Sequence, residues 1–358
     1  MNQRITRRMG AEFLVARMVC AVVLALLTAA AFSGRPLAAA EGEYHLLKKV
    51  TLGGEGGWDY LICDSEARRV YISRGTHVMV LDADTYAVVG DLPGTDGVHG
   101  IALAPELGRG FTSNGRADTV TIFDLKTLRV LGTAPTGNGP DAIVYDPASK
   151  RVFTFNGHGG DATAIDAASG KPAGTITLGG RPEFAAADGL GHIYNNLEDQ
   201  SELLQIDSHK LTITARWPLA PGESPSGLAM DREHRRLFVG CHNKMMAVVD
   251  ADSGKVLATP EIGQGVDANR FDPGTQLAFS SNGDGTLNVV HEDSPEKFTP
   301  VASVATQRGA RTMALDLKTH HVFLVTAEFG PPPAPTPERP HPWPQAIPGT
   351  FTLLVFGQ

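Results

Sequence analysis

Asp59, His99, Asp141, Glu183, Asp267 and Arg311 stand about forty residues apart, each at the opening of a short apolar run, with Ser226 in the place between Glu183 and Asp267. Carboxylates gathered with an imidazole can hold a polar ligand or a divalent cation, or move a proton. Such distant residues act together only if a repeating fold carries equivalent positions to one place. A second set comprises Arg74, His77, His158, His242 and Glu328, together with Trp58 beside Asp59. The three histidines do not recur at one register, which makes His158 and His242, with His99, the acid–base candidates. Asp59, Asp141, Glu183 and Asp267 are the candidate ligands of a divalent cation. There is no His-x-x-x-His or other short zinc signature, no Gly-x-Ser-x-Gly, and no Cys-x-x-Cys-His. Any metal site must therefore be assembled across repeats.

The repeat is explicit. Asp82, Asp124, Asp166, Asp207 and Asp250 close successive segments of 41 to 43 residues, with His291 in the sixth place. Each segment holds about four short β-rich runs separated by Asp, Ser, Gly and Pro turns, and its apolar residues alternate or run in fours. That period and pattern predict blades of a β-propeller; helical repeats would need apolar spacings of three and four. Openings at Trp58-Asp59, Val98-His99, Pro140-Asp141, Pro182-Glu183, Pro225-Ser226, Val266-Asp267 and Ala310-Arg311 count seven. The seventh segment lacks a final strand, and Tyr44–Leu52 is a spare one that would complete it. The expected fold is all-β: a seven-bladed propeller of four-stranded antiparallel blades, one domain over 41–358, closed by the N-terminal strand.

Ile122-Phe123-Asp124, Gly137-Asn138-Gly139-Pro140, Tyr145-Asp146-Pro147 and Phe153-Thr154-Phe155-Asn156 occur in the order of a YVTN-type unit. The chain thus resembles the YncE-like propeller family over about residues 43–358. It departs from the pattern at Tyr194-Asn195-Asn196-Leu197, Phe238-Val239-Gly240-Cys241 and Phe323-Leu324-Val325-Thr326. The resemblance implies a fold more than an activity, because propellers host unrelated functions.

Strand alternation divides the loops between two faces. On one, the repeated Asp residues read as turn caps. On the other, the varied residues form a funnel, either a ligand or metal site or a hydrated channel mouth. Asn114, Asn156 and Asn282, each before Gly, are expected in left-handed turns. The proline-rich insertion 329–349, with His341 and Trp343, falls on the funnel face as a lid, a docking strip or a solvated loop.

Arg4, Arg7, Arg8 and Arg17, the apolar run Met18–Phe32 and Ala38-Ala39-Ala40 predict a signal peptide over 1–40, cleaved near Ala40. A periplasmic or secreted protein with no membrane span after cleavage is expected. The net charge is −8, and setting aside the five arginines and single Glu12 of residues 1–40 leaves the remainder near −12. This acidity disfavours nucleic acid as a partner. Cys63 and Cys241 are too far apart in the repeat for a disulfide. The leading expectation is a monomeric binding protein for a small molecule, metal ion or protein partner. The alternative is a metal-assisted, lactonase-like hydrolase or lyase, and a third reading is an accessory to electron transfer.

Overall fold

The computed structural model describes residues 43–336, 342 and 344–358. The expected export signal, and His341 and Trp343 of the insertion, lie outside the described residues. Strand dominates, and no helix among the described residues is long and apolar enough to cross a membrane.

Five sheets have four antiparallel strands and a sixth has seven. The seven-stranded sheet joins two repeat units through one continuous strand, Val88–Ala104. Its first half pairs with Gly75–Asp82 and its second half with Arg109–Asn114. Gly94 and Gly97, both at positive φ, turn the chain between the halves. At the other end of the sequence, His45–Thr51 pairs antiparallel with Thr352–Gly357 and is the outermost strand of the sheet containing His321–Thr326 and Met313–Asp316.

The second strand of each unit is nearly continuous in apolar residues because neighbouring sheets cover both of its faces. Tyr71, Phe111, Phe153, Tyr194, Phe238, Phe279 and Phe323 occupy one register, one per unit, and all are fully buried. These rings carry the packing between sheets. Outer strands such as Pro172–Thr177 alternate between exposed and covered residues instead.

The turn carboxylates act as expected. Asp82, Asp124, Asp166 and Asp250 each accept bonds from the backbone N–H and the hydroxyl three residues on, at Thr85, Thr127, Ser169 and Ser253. Asp207 receives the Lys210 N–H and ammonium. One expectation is corrected: Asn114, Asn156 and Asn282 do not adopt positive φ. They end buried strands, and their amides bond across the hairpin to Thr121, Thr163 and Asn288. A buried amide next to hydroxyl groups on the facing strand gains more from those partners than from a left-handed turn. Cys63 and Cys241 are both free thiols.

Arg68 ties the first unit to the last, its guanidinium 2.7 Å from the fully buried Asp316 carboxylate. Removing one partner of such a pair leaves an uncompensated buried charge. Arg68→Ala should therefore lower the stability measured by urea unfolding by about 3 kcal/mol. Arg68→Lys should cost less, and a loss below about 0.5 kcal/mol in the alanine variant, the range of ordinary surface changes, would show that this contact does not hold the two ends together.

Candidate functional site

The inner strands do something ordinary strands do not: they break register where the charged residues sit. Pairing slips between Val98 and Ile101, Pro182 and Ala185, Pro225 and Leu228, and Val266 and Ala268. His99, Glu183, Ser226 and Asp267 fall within these slips, and a bulge re-aims side chains out of the ladder. Asp59 and Arg311 precede the first paired residues of their strands. The backbone carbonyls left over are bonded from the second strand. The Ser113 hydroxyl donates to the Asp141 carbonyl, the Asn196 amide to that of Ser226 at 2.7 Å, and the Ser281 hydroxyl to that of Arg311. Each bond crosses to the next unit. Gly100 completes the approach, since a Cβ there would lie 2.8 Å from Ile143 Cγ2 and 3.0 Å from the Asp141 carbonyl oxygen.

The result is a cavity of about 540 Å³ lined by Trp58, Asp59, His99, Asp141, Glu183 and Arg311, among others. His99 Nδ1 is 2.6 Å from Asp59 Oδ2 and 3.6 Å from Asp141 Oδ1. Arg311 Nε lies 3.6 Å from Asp267 Oδ2. Burial alone would lower the His99 pKa, but the Asp59 hydrogen bond and the charges of Asp141, Asp59 and Glu183 outweigh it and push it up to about 9. Glu183 is pushed up to about 8 by burial and then by Asp141 and Asp267, with Arg181 opposing. Asp141 and Asp267 are also raised, again by burial first. Arg116 and Arg181 of the same wall are paired with Asp96 and Glu198, so the buried carboxyls are only partly offset and the cavity retains protons near neutrality.

Two aromatic residues escaped the sequence reading. Tyr60 and Phe184 follow Asp59 and Glu183 and stack at 4.6 Å between centroids. They line a second cavity of about 550 Å³, bounded by Asp231, Arg232 and Glu233 from the opposite-face turns, so the stacked pair separates the two spaces. Arg270 sits beneath, 5.7 Å over the Phe184 ring, donating to the carbonyls of Leu61 and Asn269. The available signal was size. The residues after the other ring positions are Gly100, Ala142, Gly227, Ala268 and Thr312, so Tyr60 and Phe184 are the bulky exceptions.

The remaining candidates are distributed unevenly. His158 lines the funnel. His242 lies near its rim, where partial burial and then the charges of Arg311 and Arg181 hold its pKa below the ordinary value. Arg74 does not line this cavity. It is buried and donates to the carbonyls of Gly53, Glu55, Gly56 and Gly57, with its guanidinium 3.6 Å over Phe351, so it organises the glycine-rich loop. His77 faces Asp91 at 3.6 Å, also away from the cavity. Glu328 is exposed, and its backbone carbonyl accepts the Ile347 N–H at the base of the insertion. Trp58 packs on Phe351 and on Phe329 of the insertion. A recess of about 310 Å³ bounded by Phe329, Pro344 and Ala346 shares Trp58 and Arg311 with the funnel.

Comparison with protein-family models and with curated proteins finds no match. Solved structures do resemble the chain. The crystal structure of the RRP9 WD40 repeats superposes with a TM-score of 0.72 at 8% identity, covering 89% of this chain and 98% of that one. The structure of U3-55K gives 0.71 at 8% identity, covering 87% and 98%. Kuenenia stuttgartiensis hydrazine synthase gives 0.66 at 14% identity, covering 75% and 92%. The fold is of the WD40 propeller type. At these identities the likeness concerns architecture alone.

The raised groups set the pH dependence. A carboxyl whose folded pKa exceeds its unfolded value of about 4.3 stabilises the fold most at low pH and loses that contribution as pH rises through the folded value. For Glu183 the window runs from about 4.3 to about 8. His99 acts in the same sense, losing its contribution from about 6.5 towards about 9. Glu183→Gln should therefore gain stability relative to the parent chain as pH rises, with the difference levelling off above pH ~8. Unfolding midpoints at several pH values would show this, and a difference independent of pH would contradict it.

Proposed function

We propose that the protein is an exported binding protein, a seven-bladed YncE-like propeller closed by its N-terminal strand, which takes a small ligand bearing a cationic group into the funnel. Dividing the seven-stranded sheet at Gly94–Gly97 yields the seventh unit, and the pairing of His45–Thr51 with Thr352–Gly357 supports closure. The ligand assignment rests on one observation: Asp59, Asp141 and Glu183 line one cavity with Asp267 beside Arg311 at its edge, and of the cations in the wall Arg116 and Arg181 pair with Asp96 and Glu198, leaving His99 and Arg311 to face the group. A cation would displace the protons that Glu183 and its neighbours hold. The adjoining recess and insertion give the same face room for a larger molecule, and the WD40-type neighbours support a role in interaction.

A specific observation favours the second reading, metal-assisted hydrolysis or elimination. Donor atoms of Asp59, His99 and Asp141 all lie within 4.8 Å of one another, close enough to share one divalent ion. In that case His99 would act as a ligand and His158 would remain as the acid–base group on the rim.

Calorimetric titration of chelator-stripped protein with putrescine and, separately, with Mn²⁺, each in two buffers of different ionisation enthalpy, distinguishes these readings. On the first, putrescine binds with release of protons, and Glu183→Gln weakens it by roughly tenfold, the value of one charge-assisted contact. On the second, Mn²⁺ binds alone and is lost in Asp59→Asn. Absence of binding by both probes overturns the assignment of the funnel as a cation site.

A further inference from the structure

On the opposite face, a buried Asp at the end of an inner strand is met by a donor from the next unit at four interfaces. Asp146 accepts from the Ser208 hydroxyl at 2.6 Å. Asp188 faces Arg235 at 3.4 Å, Asp272 faces His320 at 2.7 Å, and Asp316 faces Arg68 at 2.7 Å. The interface between the units opening at Ser226 and Asp267 breaks this rule. There Asp231 is met by Glu292, whose place in its strand corresponds to that of Ser208. An acceptor stands where the other interfaces have a donor.

Asp231 and Glu292 are 1% and 2% exposed. His234 Nδ1 lies 2.9 Å from Asp231 Oδ2 and 3.0 Å from Glu292 Oε1, yet neither Glu292 oxygen nor His234 Nδ1 has an aligned hydrogen-bond partner. Three donor atoms therefore face one point, and the fully buried Glu292 carboxylate has the misaligned His234 ring, a cation only when protonated, as its nearest partner. That deficit costs several kcal/mol unless a positive charge fills it. The nearby cations are committed elsewhere. Arg236 pairs with Asp250 at 2.6 Å and donates to the Pro295 carbonyl, and Arg232 donates to that of Ala187.

We propose that Asp231, His234 and Glu292 form a second metal site, for an imidazole-accepting divalent ion of the zinc class, clamping these two units together. One nitrogen and two carboxylate donors suit Zn²⁺ and its first-row neighbours, whereas Ca²⁺ and Mg²⁺ take oxygen sets. Three protein ligands are one fewer than the usual four. Asp231 also lines the 550 Å³ cavity, from which water can complete the set, and the partly exposed His234 provides an entry path. The site is independent of the funnel reading, since its residues lie on the other face.

The test uses full-length protein carrying Asp59→Asn, His99→Gln and Asp141→Asn, so that the funnel cannot bind zinc. Chelator-stripped samples are titrated with ZnCl₂ against a chromophoric chelator, and melting is followed with and without zinc. One equivalent should bind and raise the melting temperature. Glu292→Ser, which copies the Ser208 arrangement, should weaken binding by at least about tenfold. Without zinc the serine variant should melt at or above its parent; with zinc the order should reverse. His234→Gln gives an independent check and should also lose the equivalent. Equal zinc binding by parent and serine variant, no binding by either, or a serine variant that melts higher under both conditions would each overturn the site.

Discussion

A strand that aims polar side chains at a shared axis must leave its hydrogen-bond ladder, and the backbone groups it abandons are buried. Unpaired, each would cost of the order of 1–3 kcal/mol. This constraint explains why Ser113, Asn196 and Ser281 occupy the second strands next to the slipped segments. Each bonds the carbonyl of a ring residue in the following unit. The same contact therefore pays for the bulge and docks one sheet on the next. The site and the architecture are a single hydrogen-bonded arrangement, and neither can be altered alone. Ser73 serves the first unit in a related way, accepting the Tyr60 N–H and donating to the Tyr60 carbonyl.

The repeat was fully legible because it is written in turn chemistry and apolar period, which are local. Spacing of the turn Asp residues located the units. Five of the ring positions, Asp59, His99, Asp141, Glu183 and Arg311, line one cavity because they share a register, whereas Ser226 and Asp267 are not in its wall. The amides were less legible. Asn114 before Gly has the form of a turn residue, and only the facing Thr121 on a paired strand reveals it as a buried donor. Arg74 resembled a binding residue because charge seemed to imply solvent. Its actual partners are four carbonyls of a loop seventeen or more residues away, which no local pattern reports.

Departures from the repeat proved more informative than the repeat. Tyr194-Asn195-Asn196-Leu197 reads as a degenerate unit, yet both asparagines bond inner-strand carbonyls, those of Glu183 and Ser226. Tyr60 and Phe184 break a run of small residues and thereby divide the axis into two spaces. Glu292 stands where another unit has serine, and the interface loses its donor. The Tyr60–Phe184 stack and the Glu292 substitution thus give their units contacts the others lack, while Asn196 keeps with an amide the bond that Ser113 and Ser281 make with a hydroxyl. A repeat acquires individuality only at positions where its consensus is broken.

The sign of the electrostatic shift sorts the acidic residues by role. Turn carboxylates at Asp82, Asp124, Asp166, Asp207 and Asp250 are held below the ordinary range by the N–H and hydroxyl groups aimed at them. Even Asp188 and Asp316, which lie deep, are lowered, because N–H and guanidinium donors outweigh burial. The carboxyls raised among the described residues are Asp141, Glu183, Asp267 and Glu292, and all lie in one of two clusters. Burial is the largest cause of the rise at all four, whereas the turn carboxylates lie near the surface; Asp188 and Asp316 show that enough donors outweigh burial where both act. A chain that provides donors for its turn carboxylates in unit after unit, yet leaves these four short of them, has concentrated unmet negative charge at the two places where a cation would stabilise it most.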